Sequence, residues 1–153
     1  MKSIIVFYSY GGNTRKIAEM IQKKTGADML EIETEKAYSG TYDDVVNQGQ
    51  EEVNSGYMPK LKPFNRDFSE YDTVYLGTPV WWYTFAPAVK TLLNEKLFDG
   101  KTIIPFATNG GWIGHTFKDI KSACPNSEVK DGINIRFDGV HLVDDEQKIL
   151  NRI

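Results

Sequence analysis

Ile4-Ile5-Val6-Phe7-Tyr8-Ser9-Tyr10-Gly11-Gly12-Asn13-Thr14 is the stretch that decides the fold. It begins with a continuous apolar run, rich in β-branched residues, which predicts a strand covered on both faces. It ends in a turn rich in hydroxyl groups and glycine. A helical period follows, with Ile17, Ala18 and Ile21 on one face. A buried strand, a glycine-rich turn and an amphipathic helix in this order predict an α/β fold.

The rest of the chain repeats this alternation. Further strands are predicted at 29–34, 74–76, 102–107 and 133–137, and further helices at 42–53, around 89–93, at 113–124 and at 144–153. Short connections and right-handed crossovers place the five strands in one parallel sheet with helices on both faces, a three-layer sandwich. The length fits one domain, residues 1–153. Pro105 cannot donate a ladder hydrogen bond, so we expect a bulge or an unpaired position there.

Composition and charge exclude several classes of protein. No apolar run approaches the roughly 20 residues of a membrane span. The opening residues are typical of a strand rather than a signal peptide, and the one cysteine, Cys124, suits a reducing compartment, so we expect a cytoplasmic protein. A net charge of −3 is too mild for a nucleic-acid binder. Residues 28–56 hold eight acids and one lysine, which fits either a solvated face or a docking surface for a basic partner.

Three strand ends carry candidate binding segments. Ligands of such sheets bind outside the carboxyl ends of the strands. The candidates are the first loop (Ser9, Tyr10, Gly11, Gly12, Asn13, Thr14), the second loop (Thr78, Pro79, Val80, Trp81, Trp82) and the third loop (Thr108, Asn109, Gly110, Gly111). The first opens a helix, whose free N–H groups attract an anion, although a tight turn with an N-cap remains open. It is neither a Walker A loop nor G-x-G-x-x-G, which disfavours a nucleoside triphosphate or dinucleotide site.

Together the three loops resemble those of flavodoxins. Residues 9–14 look like the family's phosphate loop, [ST]-x-x-G-[NQ]-T. Residues 77–82, followed by Pro87, are similar to the second loop of a flavodoxin-like subgroup found mainly in bacteria, and residues 106–111 resemble its third loop. The likeness covers essentially the whole chain in the same order of elements. It implies a flavodoxin-like fold of strand order 2-1-3-4-5, flavin mononucleotide (FMN) as cofactor and no metal.

Aromatic residues give the physical case for a flavin. Its ring system is flat and amphipathic, so stacking on an indole holds it while backbone groups read its polar edge. Trp81 and Trp82 are adjacent, and neighbouring side chains rarely share one face, so we expect at least one to contact the ligand. Trp112 either does the same or packs on the helix that follows. Residues 109–111 are predicted to donate backbone hydrogen bonds to the flavin's pyrimidine edge.

Four further side chains have mainly structural interpretations. Cys124 completes an apolar helical stripe and is expected in the core. His115 is expected at the surface or as a helix cap, and His141 is expected to be structural. Arg15 either helps to neutralise a phosphate or points outward.

The predicted function is electron transfer by FMN to a redox partner protein. The alternative is an NAD(P)H-dependent reductase of a small quinone-like or nitro compound on the same scaffold. Many flavodoxins keep a glycine in the second loop beside the flavin N5, whereas here residues 83–85 are Tyr-Thr-Phe. This departure predicts that the two one-electron potentials lie close together or are crossed, which suits the reductase. We expect a monomer or a weak dimer.

Overall fold

The structure is a computed structural model that describes residues 2–153. Within that range the helices are α1 (Asn13–Thr25), α2 (Tyr42–Ser55), α3 (Pro87–Asn94), α4 (Thr116–Ala123) and α5 (Glu146–Leu150). The strands are β1 (Lys2–Phe7), β2 (Asp28–Glu31), β3 (Tyr71–Trp81), β4 (Thr84–Phe85), β5 (Thr102–Asn109), β6 (Glu128–Val129), β7 (Ile133–Asp138) and β8 (His141–Leu142). None of these helices is both long enough and apolar enough to span a membrane.

The five long strands form a parallel sheet in the order β2-β1-β3-β5-β7. This confirms the predicted fold class and the order 2-1-3-4-5. Three strands of two residues each were not predicted. Strands β4 and β8 run antiparallel to β3 and β7, and β6 pairs with the start of β5. Two residues are too few to leave a periodic signal in the sequence.

The core lies in two layers because β1 alternates its side chains between both faces of the sheet. Ile4 and Val6 pack in one layer with residues of α3 and α4. Ile5 and Phe7 pack in the other with residues of α1 and α5. All four are at most 1% exposed, as a strand covered on both faces requires. Cys124 is buried in the first layer, as predicted, and burial raises the pKa of its thiol.

Pro105 occupies an interruption in the pairing of β5. Against β3 the register runs without a break through Leu76 and Pro105. On the other flank, β6 pairs with Thr102 and Ile103, and β7 begins pairing only at Phe106. The missing N–H of Pro105 therefore lies where the partner strand changes, which confirms the expected unpaired position rather than a bulge.

Several element boundaries differ from their predicted positions. Helix α4 begins at Thr116, so Ile113 and His115 precede it, and α5 covers only 146–150 of the predicted 144–153. Strand β2 is shorter than predicted and half-exposed along its length, as suits an edge strand. Helix α2 begins where a capping box was expected. Thr41 N–H donates to Asp44 Oδ2 (2.9 Å) and Asp44 N–H donates to Thr41 Oγ1 (3.2 Å).

Candidate functional site

The three predicted loops meet at the carboxyl edge of the sheet. The register aligns Phe7 with Gly77, and Gly77 with Phe106, so β1, β3 and β5 reach this edge together. A hydrogen bond of 2.8 Å joins the hydroxyls of Thr14 and Thr108, and therefore the first loop to the third. Gly77 has no room for a side chain, because a Cβ there would lie 2.3 Å from the Phe106 ring. The strands therefore pack closely at Gly77 and Phe106, just before the edge where the loops begin.

The first loop forms an open backbone cradle. Gly11 and Gly12 have φ of +83° and +98°, and a Cβ on either would meet no atom within 4 Å. Helix α1 begins at Asn13, and its N-cap, Gly12, brings no side chain that caps it. The Arg15 N–H donates to Ser9 Oγ (3.2 Å), whereas the N–H groups before it have no partner within the helix. These free donors and the partial positive charge of the helix end suit one phosphate.

The side chains of the first loop make contacts within the protein. The Asn13 amide donates to the carbonyl of Gly139 at 2.8 Å. Thr14 is buried, and its hydroxyl shares one hydrogen with that of Thr108, so one of the two hydroxyl hydrogens is still available to a ligand. The backbone cradle therefore offers more free donors to an anion than the side chains do.

The second loop is a hairpin, which we call the tryptophan hairpin (residues 80–85). Trp81 of β3 pairs with Thr84 of β4, so Trp82 and Tyr83 alone form the turn. Their φ values are +48° and +71°, the pattern of a type I′ turn, in which Asn and Gly are usual. Left-handed backbone costs a residue with a side chain about 1–2 kcal/mol. The turn is therefore strained at two bulky aromatic residues.

Two of the predicted loops lie partly inside strands. Residues 78–81 belong to β3, and Thr108 and Asn109 belong to β5. The reason is that β3 continues beyond its last parallel pair, Pro79 with Thr108, and forms a separate ribbon with β4. The end of β3, Val80 and Trp81, is therefore extended although it lies beyond the parallel sheet. It has no alternating apolar pattern from which a strand could be predicted.

Trp81 and Trp82 pack against the same side of helix α2. A Cβ on Gly49 would lie 3.2 Å from Trp81 Cε3 and 3.7 Å from Trp82 Cδ1. The Trp82 indole N–H donates to the carbonyl of Val46 at 2.9 Å. The expectation that adjacent side chains point apart is therefore wrong here, because the positive φ of Trp82 turns its side chain back toward α2.

Trp81 lies inside a group of tyrosines. Its ring is 4.9 Å from that of Tyr38 and 6.0 Å from those of Tyr8 and Tyr10, all close to edge-on. The Tyr38 hydroxyl donates to Glu52 Oε1 at 2.6 Å. Burial raises the pKa of Tyr8, and burial together with the Glu52 carboxylate raises that of Tyr38. Both phenols are therefore neutral at physiological pH and act as packing groups and hydrogen-bond donors.

The polar side chains of the second and third loops fix the loops themselves. The Thr78 hydroxyl is fully buried, accepts from the N–H of Ala86 (3.0 Å) and donates to the carbonyl of Pro79 (2.8 Å). Asn109 Oδ1 accepts the N–H of Gly111 at 2.9 Å. Gly110 is exposed, and a Cβ there would meet no atom within 4 Å. Of these residues, Gly110 presents the most open backbone.

Beside the tryptophan hairpin lies a cleft of about 300 Å³, which we call the α2 cleft. It is lined by Tyr10, Tyr42, Val45, Val46, Gly49, Val80, Trp81 and Trp82. Its residues on α2 were not predicted as site residues, because their spacing was used only to predict a helix. The available signal was Gly49, since a glycine inside a helix costs about 1 kcal/mol against alanine and usually has a packing reason.

On its other side the tryptophan hairpin contacts the segment before α4. The His115 N–H donates to the carbonyl of Tyr83 at 2.8 Å. Gly114 (φ +57°) has no room for a side chain, because a Cβ there would lie 2.4 Å from Tyr83 O. The rings of Tyr83 and Trp112 lie 4.8 Å apart and are 48% and 65% exposed. His115 is exposed, as predicted, and is the N-cap residue of α4, but its side chain makes no capping hydrogen bond and its Nδ1 contacts Asp119 Oδ2.

Local partners engage most of the acidic residues of the stretch 28–56. Six of the eight have such a partner: Asp28 with Tyr71, Glu31 with Arg15, Glu33 with Lys62, Glu35 with Lys60, Asp44 with Thr41 N–H, and Glu52 with Tyr38. Arg15, a candidate phosphate partner, is therefore committed to Glu31. Only the partners of Glu31, Glu33 and Glu35 carry a positive charge, so these three ion pairs are what lowers the free charge below that indicated by the composition.

The edge fits a flat ligand that carries one phosphate. The glycine cradle at α1 offers backbone donors, and aromatic rings of the first and second loops surround the space beside it. Among residues 2–153, no group of three or more His, Cys, Asp or Glu side chains is placed to hold a metal ion.

Known proteins resemble this chain over most of its length. A flavodoxin family model matches residues 2–145. A protein of Bacteroides eggerthii, provisionally identified as a flavoprotein, is 26% identical, with a TM-score of 0.84 over 99% of this chain and 94% of its own. A flavoprotein of Lactobacillus acidophilus in complex with FMN is 24% identical, with a TM-score of 0.76 over 87% of this chain and 91% of its own.

A curated relative extends the comparison to an enzyme. It is an FMN reductase (NADPH) of Escherichia coli, 32% identical over 84 residues. The alignment spans 49% of this chain and 44% of that protein, less than half of either. The family model, by contrast, covers nearly the whole chain and includes all three loops. This chain belongs to the flavodoxin family.

Proposed function

We propose that this chain binds FMN at the carboxyl edge of its sheet, takes electrons from NADPH or NADH, and passes them to a small-molecule acceptor. The observation that carries the proposal is the meeting of a glycine cradle, at the N-terminus of α1, with the tryptophan hairpin. Membership of the flavodoxin family supports the cofactor, and so do the FMN complex of the Lactobacillus protein and the activity of the Escherichia coli relative.

The first loop is proposed to hold the phosphate. Backbone N–H groups at Asn13 and Thr14, next to Gly11 and Gly12, present donors to a dianion, and the helix dipole adds to their effect. The remaining hydrogen of the Thr14–Thr108 hydroxyl pair gives one further donor. One cradle of this size accounts for one phosphate, which favours FMN over a dinucleotide.

The second and third loops are proposed to hold the ring system. When bound, FMN accepts and releases one or two electrons. Residues 78–82 supply flat apolar surface, and Trp81, fixed by its neighbouring tyrosines, offers a rigid face at little entropic cost. Gly110 and Gly111 bring backbone close to the polar edge of the ring, with Asn109 holding the turn.

Two observations favour a small acceptor over a protein partner. The α2 cleft lies directly beside the tryptophan hairpin and is large enough for a small ring compound. Three of the eight acids in the stretch 28–56 are paired with Arg15, Lys60 or Lys62, which lowers the free negative charge available for docking a basic protein. A carrier that serves a protein partner is the second candidate, favoured by the exposed pair Tyr83 and Trp112 at the rim of the site.

The test is anaerobic mixing of the FMN-loaded protein with NADPH and, separately, with NADH. Rapid loss of the flavin's visible absorbance is the expected result, and free FMN mixed with the same nucleotides is the control. A flavin that stays oxidised would favour the carrier. Mass spectrometry of the heat-released cofactor tests its identity. FAD in place of FMN, or no uptake of flavin by the apoprotein, would overturn the proposal.

A further inference from the structure

We infer that Asp119 is a positioning residue for the proposed cofactor site, and that it acts on the ring of FMN through the tryptophan hairpin. The inference rests on the proposed function, since it assigns a role to a residue that supports the same site. Asp119 lies in the first turn of α4, and its side chain is 35% exposed. It is outside the three loops from which the site was built.

Asp119 links α4 to two residues of the tryptophan hairpin. The Thr84 hydroxyl donates to Asp119 Oδ2 at 2.6 Å. The same oxygen contacts His115 Nδ1, and the backbone N–H of His115 donates to the carbonyl of Tyr83 at 2.8 Å. One carboxylate oxygen therefore holds Thr84 directly and Tyr83 through His115. Hydrogen bonds to an ionised group are about twice as strong as those between neutral groups, so this link is a strong one.

Packing leaves the hairpin room to move on the side of α4. A cavity of about 300 Å³ lies there, lined by residues of α2, β4 and α3 together with His115 and Asp119. Strand β4 has two residues, Thr84 and Phe85, and both line this cavity. A two-stranded ribbon is marginally stable by itself. Because open space adjoins β4, its polar contacts with α4 determine where it lies.

The turn that Asp119 supports is strained. Trp82 and Tyr83 have φ values of +48° and +71°, which bulky side chains rarely adopt. Such a backbone persists only where its surroundings enforce it. Removal of the Asp119 contacts is therefore expected to let the turn relax. The indoles of the hairpin would then move, and with them the ring-binding surface proposed for residues 78–82.

The simpler alternative is that Asp119 only stabilises its own helix. An acidic residue in the first turn interacts favourably with the helix dipole, and Asp119 has that position in α4. The two roles have different consequences. A helix-stabilising residue changes the free energy of unfolding and leaves the affinity for a flavin ring unchanged. A positioning residue changes the affinity for the ring.

The test is a fluorescence titration of FMN and, separately, of riboflavin into the flavin-free protein and its variants. Asp119→Ala is expected to weaken both flavins about tenfold, because it removes a hydrogen bond to a charged group and because riboflavin shares the ring but not the phosphate. Thr84→Val keeps the shape of the side chain and removes its hydroxyl, so it should weaken both flavins about threefold or more. Thr84→Ser keeps the hydroxyl and should bind both within about twofold of the wild type.

Asp131→Ala is the matched control. It makes the same change at an exposed position just before β7, at the amino edge of the sheet and far from the loops. It should change neither affinity.

Visible circular dichroism of the bound FMN gives a second readout, because it reports the surroundings of the ring. The spectra of Asp119→Ala and Thr84→Val should depart from that of the wild type in the same way, whereas Thr84→Ser should match it. A residue that only stabilises α4 would shift the midpoint of urea unfolding and leave this spectrum unchanged.

The outcomes separate the inference from the proposed function. Unchanged affinity for both flavins in Asp119→Ala and Thr84→Val would overturn the inference and leave the proposed function standing, and Thr84→Val alone decides if Asp119→Ala does not fold. Loss of FMN affinity with riboflavin unchanged would also overturn it, since Asp119 would then act at the phosphate. If the wild type takes up no FMN, the proposed function fails and the inference fails with it.

Discussion

The hydrogen bond between Thr14 and Thr108 yields a double-mutant cycle that measures how strongly the first and third loops are coupled. Both hydroxyls are buried, at 1% and 4% exposure for their residues, and lie 2.8 Å apart. Thr14→Val keeps the shape of the side chain but leaves the Thr108 hydroxyl buried without its partner. A stranded polar group of this kind costs about 1–3 kcal/mol of the free energy of unfolding.

The reverse change, Thr108→Val, should cost a similar amount. The double variant replaces both hydroxyls by methyl groups and strands nothing, so it should be close to neutral. The cycle therefore predicts a coupling energy of about 2–6 kcal/mol, the sum of the two single costs, because the double variant pays neither. Urea unfolding of the flavin-free protein measures it, as shifts of the midpoint at unchanged slope. Costs that simply add in the double variant would refute the reasoning, because the two hydroxyls would then be satisfied independently.

Four more predictions follow from the same edge of the sheet. Thr14→Ala and Asn13→Ala should each weaken FMN by roughly 1.5–3 kcal/mol and riboflavin much less, because riboflavin has no phosphate; equal losses in parallel titrations would place the phosphate elsewhere. Flavin binding should quench tryptophan fluorescence, and Trp81→Ala should cost on the order of 1–3 kcal/mol of FMN affinity, so an unchanged dissociation constant would contradict stacking. Gly114→Ala should lower the free energy of unfolding by about 1–3 kcal/mol more than Gly139→Ala, since both have similar positive φ but only the first meets Tyr83 O; equal costs in urea would be evidence against the close contact. Stepwise anaerobic reduction, followed by visible absorbance, should show closely spaced one-electron potentials, and a large blue intermediate band near half-reduction would argue for a one-electron carrier.

The sheet and the three binding segments could be predicted because their signals are local. The continuous apolar run of β1 indicates a strand that is buried on both faces of the sheet, and no other segment is needed for this prediction. The glycines of the first loop lie where a helix begins, so their placement indicates an anion site without any tertiary information. The order of the strands came from the resemblance to flavodoxins and the pairing confirms it.

The walls of the site could not be predicted, since they depend on contacts between distant segments. Trp82 and Tyr83 form a type I′ turn, in which Asn and Gly are usual, so the sequence did not predict the tryptophan hairpin. The reason for a glycine at position 49 is its contact with the two indoles, which are more than thirty residues later in the sequence. The acidic stretch was interpreted from its charge alone, and its partners Arg15, Lys60 and Lys62 come from other segments.

The tryptophan hairpin holds its strained shape because it is anchored from both sides. Trp82 donates to the carbonyl of Val46 on α2, and the carbonyl of Tyr83 accepts the N–H of His115 before α4. A hydrogen bond contributes about 0.5–1.5 kcal/mol net, and left-handed backbone costs each turn residue about 1–2 kcal/mol. The two anchoring hydrogen bonds thus offset a large part of the strain, and the packing of both indoles against α2 adds to their effect. Here the shape turns Trp82 toward α2 and leaves Tyr83 at the rim, which places aromatic surface on both sides of the proposed cofactor site.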